Sequence, residues 1–160
     1  MSTGIRGLDT ILGGGLIARR LYVVKGPPGA GKSVLSAQLS FHRARAGEQV
    51  VYVTMLTESH SSLLENLTTL EFFSAALAAD RITFVSGFRA LDEGGLHGLY
   101  KLMRGMIQKT GSRLLVLDGI VGTTDRMPSP EGLRRFVRNI ATVSTRSTRG
   151  CRSSRTWPTA

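Results

Sequence analysis

Cysteine is nearly missing from this chain. Cys151 stands alone among 160 residues, so no disulfide can close within the chain and no thiolate cluster can hold a metal. His42, His60 and His97 are scattered without ligand spacing, which makes them surface or helix residues rather than metal ligands. Long apolar runs are missing too. No stretch approaches the roughly 18 residues that cross a bilayer. The opening Met1-Ser2-Thr3-Gly4-Ile5-Arg6-Gly7 lacks the charged and then apolar order of a secretion signal. A cytoplasmic chain with no membrane partner is expected.

Acidic residues are scarce: 11 Asp+Glu stand against 21 Lys+Arg, a net charge of +10. The imbalance is local. Residues 1–133 carry 14 Lys+Arg against 11 Asp+Glu, a net of only +3, whereas residues 134–160 carry seven arginines and no acid. The basic character belongs to the C-terminal stretch, where it supports only unspecific attraction to polyanions. Hydrophobic residues make up 41% of the chain, enough for a core, and the length fits one domain.

The apolar pattern alternates between strand and helix. Leu21-Tyr22-Val23-Val24 reads as a buried strand. Helix follows from Gly31 or Lys32, with Leu35, Leu39 and His42 at helical spacing and Gly47 as its stop. Val50-Val51-Tyr52-Val53-Thr54 is β-branched and aromatic, a second strand. Ser59 or Ser61 can cap a helix through Leu63, Leu64 and Leu67, and a further helical piece covers Phe72 to Ala79. Ile82 to Val85 reads as a third strand. Asp92 opens a helix to about Lys109, with Leu96, Leu99, Tyr100, Met103, Met106 and Ile107 on its apolar stripe. Leu114-Leu115-Val116-Leu117-Asp118 is a fourth strand ending in a carboxylate. The alternation predicts an α/β fold with a mainly parallel sheet covered on both faces. Past the Met127-Pro128-Ser129-Pro130 loop, Phe136, Val137, Ile140 and Val143 suggest one more amphipathic helix. Twelve of the last 17 residues are Ser, Thr or Arg, so a folded domain over 1–143 and a disordered basic tail over 144–160 are expected.

Gly26-Pro27-Pro28-Gly29-Ala30-Gly31-Lys32-Ser33 has the pattern of a phosphate-binding loop. Such a loop turns backbone N–H groups onto an anion. Glycine is needed where a side chain would clash or where the backbone takes angles that other residues avoid. The amides at the start of the next helix face the phosphates, where the helix dipole favours negative charge. Lys32 is expected to reach the β and γ phosphates and the Ser33 hydroxyl to coordinate Mg²⁺. The expected ATP contacts are Gly26, Pro27, Pro28, Gly29, Ala30, Gly31, Lys32, Ser33 and Val34. Asp118, at the end of an apolar strand, fits a Mg²⁺-holding role beside this loop; taken alone it could equally cap a turn. Hydrolysis needs a group to orient or deprotonate water. Glu58 is the candidate, a few residues beyond the second strand, although the residues alone serve an exposed loop glutamate as well.

Three stretches together resemble the KaiC-type ATPases of the RecA superfamily, P-loop NTPases. They are the lead-in Thr3-Gly4-Ile5-Arg6-Gly7-Leu8-Asp9 with Leu12-Gly13-Gly14-Gly15-Leu16, the glycine loop, and Leu114 to Gly119 preceded by Phe84-Val85-Ser86-Gly87-Phe88-Arg89-Ala90-Leu91. The likeness covers about residues 3–140. It implies a RecA-like core and an ATPase that assembles into a ring, commonly hexameric, with ATP between subunits. It also puts Lys32 and Ser33 on phosphates and Mg²⁺, and Asp118 on Mg²⁺. Family members usually carry two adjacent glutamates after the second strand. Here Thr57-Glu58-Ser59 keeps one, so Glu58 is the acid left to act as catalytic base.

The family core also continues beyond the aspartate strand, and one later strand lies between the glycine-loop strand and the aspartate strand. Residues 134–160 offer none. The Arg/Ser/Thr bias after Val143 reads as a truncated or frame-shifted end, and it implies an incomplete sheet with exposed apolar edges. Three functions compete: a KaiC-like ATPase in signalling or regulation with weak turnover, an ATP-dependent module that protein partners read, and a recombinase or helicase relative. The small charge of residues 1–133 and the want of a basic-aromatic patch speak against nucleic acid.

Overall fold

The computed structural model describes residues 1–55 and 60–120, together with Phe136, Arg138 and Ile140; for residues 60–63 it describes the backbone. The elements run α1 (Arg6–Ile11), α2 (Lys32–Arg45), β1 (Val50–Thr54), α3 (His60–Thr68), α4 (Ala75–Asp80), β2 (Ile82–Ser86), α5 (Phe88–Thr110) and β3 (Leu114–Asp118). The three strands form a parallel sheet in the order β2-β1-β3. Parallel neighbours require crossovers, and helices supply them: α3 and α4 lie between β1 and β2 along the chain, and α5 lies between β2 and β3.

The central strand is buried on both faces, which its Val-Val-Tyr-Val-Thr sequence suits. Side chains alternate across a strand, so β1 feeds two cores. Val50 and Tyr52 join Ala37, Phe41 and Ala44 of α2, with Leu67, Ile82 and Val116. Val51, Val53 and Met55 join Leu91, Leu99 and Met103 of α5 on the opposite face, with Phe136 and Ile140. Phe41 is wholly buried, with the rings of Phe72 and Phe73 centred 5.8 and 5.4 Å away. Burying such a ring contributes about 2–3 kcal/mol. Phe136 and Ile140 are helical, buried and one turn apart, while Arg138 between them is exposed, as the amphipathic reading of that segment requires.

Several boundaries differ from expectation. The helix placed from Phe72 begins at Ala75, because Ser74 caps it by accepting from the Leu77 amide. The helix placed from Asp92 begins one turn earlier, at Phe88, and is broken at Gly95 (φ 57°, ψ −157°). Its stripe is as read: Leu99, Met103 and Ile107 are buried, with Leu96, Tyr100 and Met106 packed nearby. Gly111 ends it in the left-handed conformation.

The largest correction concerns Leu21 to Val24. The segment is not a strand, and its side chains are exposed, Val23 at 64% and Val24 at 55%. A short apolar run becomes a buried strand only when a neighbour pairs with its backbone. Among the described residues the sheet holds three strands, and none of them pairs with residues 21–24. The Ser59 cap and the tail over 144–160 lie outside the described residues.

Candidate functional site

The glycine loop runs into α2. Gly29 (φ 76°) and Gly31 (φ 79°) both take the left-handed conformation, and Gly31 is the residue that precedes the first helical turn. Any other residue would be strained at these two turns. The Ala30 amide donates to the Pro27 carbonyl at 3.2 Å, which folds the loop back on itself. Among the described residues no side chain caps α2. The amides of Lys32, Ser33 and Val34 therefore open the helix without a side-chain acceptor, on its positive end. The Lys32 ammonium bends over the loop and donates to the carbonyls of Gly26 (3.0 Å) and Pro27 (2.7 Å). Gly26 to Gly31 are exposed to solvent, and Lys32 and Ser33 are half-buried. Amide donors and one ammonium at a helix start form a group that suits an anion.

The lead-in is seated against this helix. Thr3 is buried, and its amide and hydroxyl both donate to Asp9 Oδ1, at 2.8 and 2.7 Å, while the Ser2 hydroxyl donates to Asp9 Oδ2 at 2.7 Å. These donors, Ser2 first and then Thr3, hold the Asp9 carboxyl down at about 2. Gly4, at φ 76°, lies so close to α2 that a Cβ there would be 2.5 Å from the His42 ring. The Met1 ammonium donates to the Leu16 carbonyl and the Leu16 amide to the Met1 carbonyl, both at 2.8 Å, closing the lead-in on itself.

Asp118 ends β3 opposite Thr54 of β1, and Ser86 of β2 lies on the far side of Thr54 in register. By strand alternation all three belong to the sheet face that α2 covers. The Tyr52 hydroxyl donates to Asp118 Oδ2 at 3.0 Å and lies 2.8 Å from Ser36 Oγ. Ser36 Oγ is also 3.0 Å from the Ser33 carbonyl. A continuous line of polar contacts thus joins the strand-end carboxylate to the first turn of the helix behind the glycine loop. Tyr52 is wholly buried. Burial above all, helped by the neighbouring carboxylate, pushes its hydroxyl far above the usual tyrosine range, so it stays a neutral donor. The Thr54 hydroxyl is buried with no hydrogen-bond partner among the described residues.

Loop, helix start and Asp118 are thus brought to one end of one sheet face. Glu58, the expected catalytic base, lies outside the described residues. Among the described residues no three His, Cys, Asp or Glu gather as metal ligands, and no helix is long and apolar enough to cross a membrane. Tyr52, Ser36 and Thr54 are the members that sequence reasoning missed. The lone tyrosine in an aliphatic strand, two residues before its end, was a signal for the first: a buried phenol needs a partner. Nothing in the sequence pairs it with Ser36.

Parts of the chain are similar in sequence to known proteins. The chain is 38% identical over 82 residues to the DNA repair and recombination protein RadB of Methanoculleus marisnigri, which covers 51% of this chain and 35% of that one. It is 38% identical over 55 residues to a UPF0273 protein of Thermotoga maritima, covering 34% and 23%. It is 43% identical over 53 residues to the DNA repair protein RadA of Aquifex aeolicus, covering 33% and 12%. The chain therefore spans about a third or less of the length of these relatives. The family model for the KaiC ATPases matches residues 1–150. With its parallel sheet flanked by helices and its glycine loop at the start of α2, the chain belongs to the KaiC-type ATPases of the RecA superfamily.

Proposed function

We propose that this chain binds ATP with Mg²⁺ at the glycine loop and hydrolyses it slowly. The observation that carries the reading is the uncapped start of α2 behind Gly29 and Gly31, with Asp118 tied to the same helix turn through Tyr52 and Ser36. In this reading the amides from Gly29 to Val34 hold the phosphates and the Lys32 ammonium leaves the Gly26 and Pro27 carbonyls for the β and γ phosphates. The Ser33 hydroxyl and the Asp118 carboxylate hold Mg²⁺, which screens the charge of the phosphates. Hard oxygen donors of this kind suit that ion. Glu58 orients or deprotonates the attacking water. The family likeness supports a ring with ATP between subunits, in which bound nucleotide sets the state that protein partners read.

A second reading, DNA-linked turnover, is favoured by one observation: two of the relatives are named as DNA repair proteins. The near-neutral balance of residues 1–133 favours the first. Phosphate release by the purified chain, with and without single-stranded DNA, separates them. Slow release indifferent to DNA supports the regulatory ATPase, and stimulation by DNA supports the second reading. Glu58→Gln is expected to keep nucleotide binding while phosphate release stops. Turnover that survives in this variant would remove Glu58 from its role.

A further inference from the structure

The contacts between Asp118 and α2 have a proton count that decides their direction. Three oxygen–oxygen contacts lie in line: Asp118 Oδ2 to Tyr52, Tyr52 to Ser36, and Ser36 to the Ser33 carbonyl. Only two hydroxyl protons serve them, because an ionised carboxylate and a carbonyl bring none. The bond to the charged acceptor is the stronger, so the Tyr52 proton goes to Asp118. The Tyr52 oxygen can then only accept, and Ser36 is the hydroxyl that donates to it. The Ser33 carbonyl gives up little, since a carbonyl inside a helix also accepts from the amide four residues on.

We propose that Tyr52 is a positioning residue for Asp118. It occupies Oδ2, fixes the carboxylate against the first turn of α2, and leaves Oδ1 for the cation of a bound nucleotide. The proposal rests on the reading that Asp118 holds Mg²⁺. Two observations make the device rigid. The Tyr52 side chain is wholly buried with the Phe84 ring centred 5.5 Å away, so its hydroxyl has one place to go. Ser36, which holds the hydroxyl from the other side, sits one turn beyond Ser33, so carboxylate and loop are referred to the same helix. A phenylalanine would pack equally well but could not donate.

The test is nucleotide binding by the full 160-residue chain, followed with a fluorescent ADP or ATP analogue in EDTA and then across a Mg²⁺ titration. Tyr52→Phe is expected to bind as the wild type does in EDTA, and to need about 10–100-fold more Mg²⁺ for the metal-dependent gain, the usual loss when a ligand's outer hydrogen-bond partner is removed. Mn²⁺ in place of Mg²⁺ gives a spectroscopic reading of the same shift by electron paramagnetic resonance. Ser36→Ala, which keeps the phenol, is expected to move the Mg²⁺ midpoint in the same direction by less, and it carries the test if Tyr52→Phe does not fold. An unchanged Mg²⁺ midpoint in whichever variant folds, or an equal loss of binding with and without metal, overturns the positioning role while leaving nucleotide binding intact. Failure of the wild type to bind nucleotide at all overturns the reading beneath it and this proposal together.

Discussion

The Lys32 ammonium donates to the Pro27 carbonyl at 2.7 Å, and the same carbonyl accepts from the Ala30 amide at 3.2 Å. The lysine that is expected to meet phosphate therefore doubles as the pin of its own loop. Both of its bonds are exposed, so in water they add little to stability. Lys32→Ala should leave the thermal midpoint almost unmoved, within about 0.5 kcal/mol. Nucleotide affinity should fall roughly 100-fold or more, because charge-assisted bonds to two phosphates are worth about 1.5–3 kcal/mol each. Paired melting curves and nucleotide titrations check this. Unaltered affinity would remove the lysine from the site.

Thr54 offers the opposite sign. Its buried hydroxyl meets no partner among the described residues, although Asp118 and Ser86 flank it in register. A buried hydroxyl left unpaired costs about 1–3 kcal/mol, and an apolar group of the same shape relieves that cost. Thr54→Val should raise the urea midpoint, by about 1 kcal/mol in free energy of unfolding. A loss of stability instead would mean that the hydroxyl has a hydrogen-bond partner in solution.

What could be read from sequence follows how local each cause is. Val50–Thr54 and Leu114–Asp118 are strands in both views because each run is apolar on both faces and its parallel partner lies among the described residues. The glycine loop and α2 were legible because positive φ and helical spacing are written in adjacent residues. Leu21–Val24 has an equally good strand sequence and forms none, since strand propensity is realised only against a neighbouring strand. The break at Gly95 was hidden for a related reason. Glycine permits a kink without requiring one, and the stripe begins at Leu96, beyond the break, so its period carries no sign of it. Ser36 and Asp118 lie 16 and 66 residues from Tyr52 along the chain; only the folded sheet brings the three together.

The exposed run at 21–24 makes its own prediction. Tyr22 is 43% exposed beside Val23 and Val24, and Ile17 nearby is 68% exposed. Extended apolar segments without a pairing partner are templates for association. Light scattering of the purified chain should show concentration-dependent association, and Val23→Lys should weaken it, since a charge on an exposed strand-like segment opposes pairing. Association indifferent to this change would place the contact elsewhere.

Acid should release the lead-in before the sheet. Asp9 binds Ser2 and Thr3 as a carboxylate, and these bonds lower its pKa from 3.8 to about 2. A carboxyl whose pKa is lower folded than unfolded binds fewer protons when folded, so its contribution is complete above the unfolded value and is lost as pH falls. The window therefore runs from about pH 4 down through about pH 2, with no change expected from this group above it. Hydrogen exchange at the Thr3 amide, which is bonded to Asp9, reads the release directly: protection should hold at pH 5 and disappear toward pH 2. Asp9→Asn removes the charge at every pH. It should weaken the protection at neutral pH and abolish the acid transition, while β1 amides stay protected. A Thr3 amide that exchanges at the same rate in both proteins at pH 6 would show that Asp9 does not hold the lead-in onto α2.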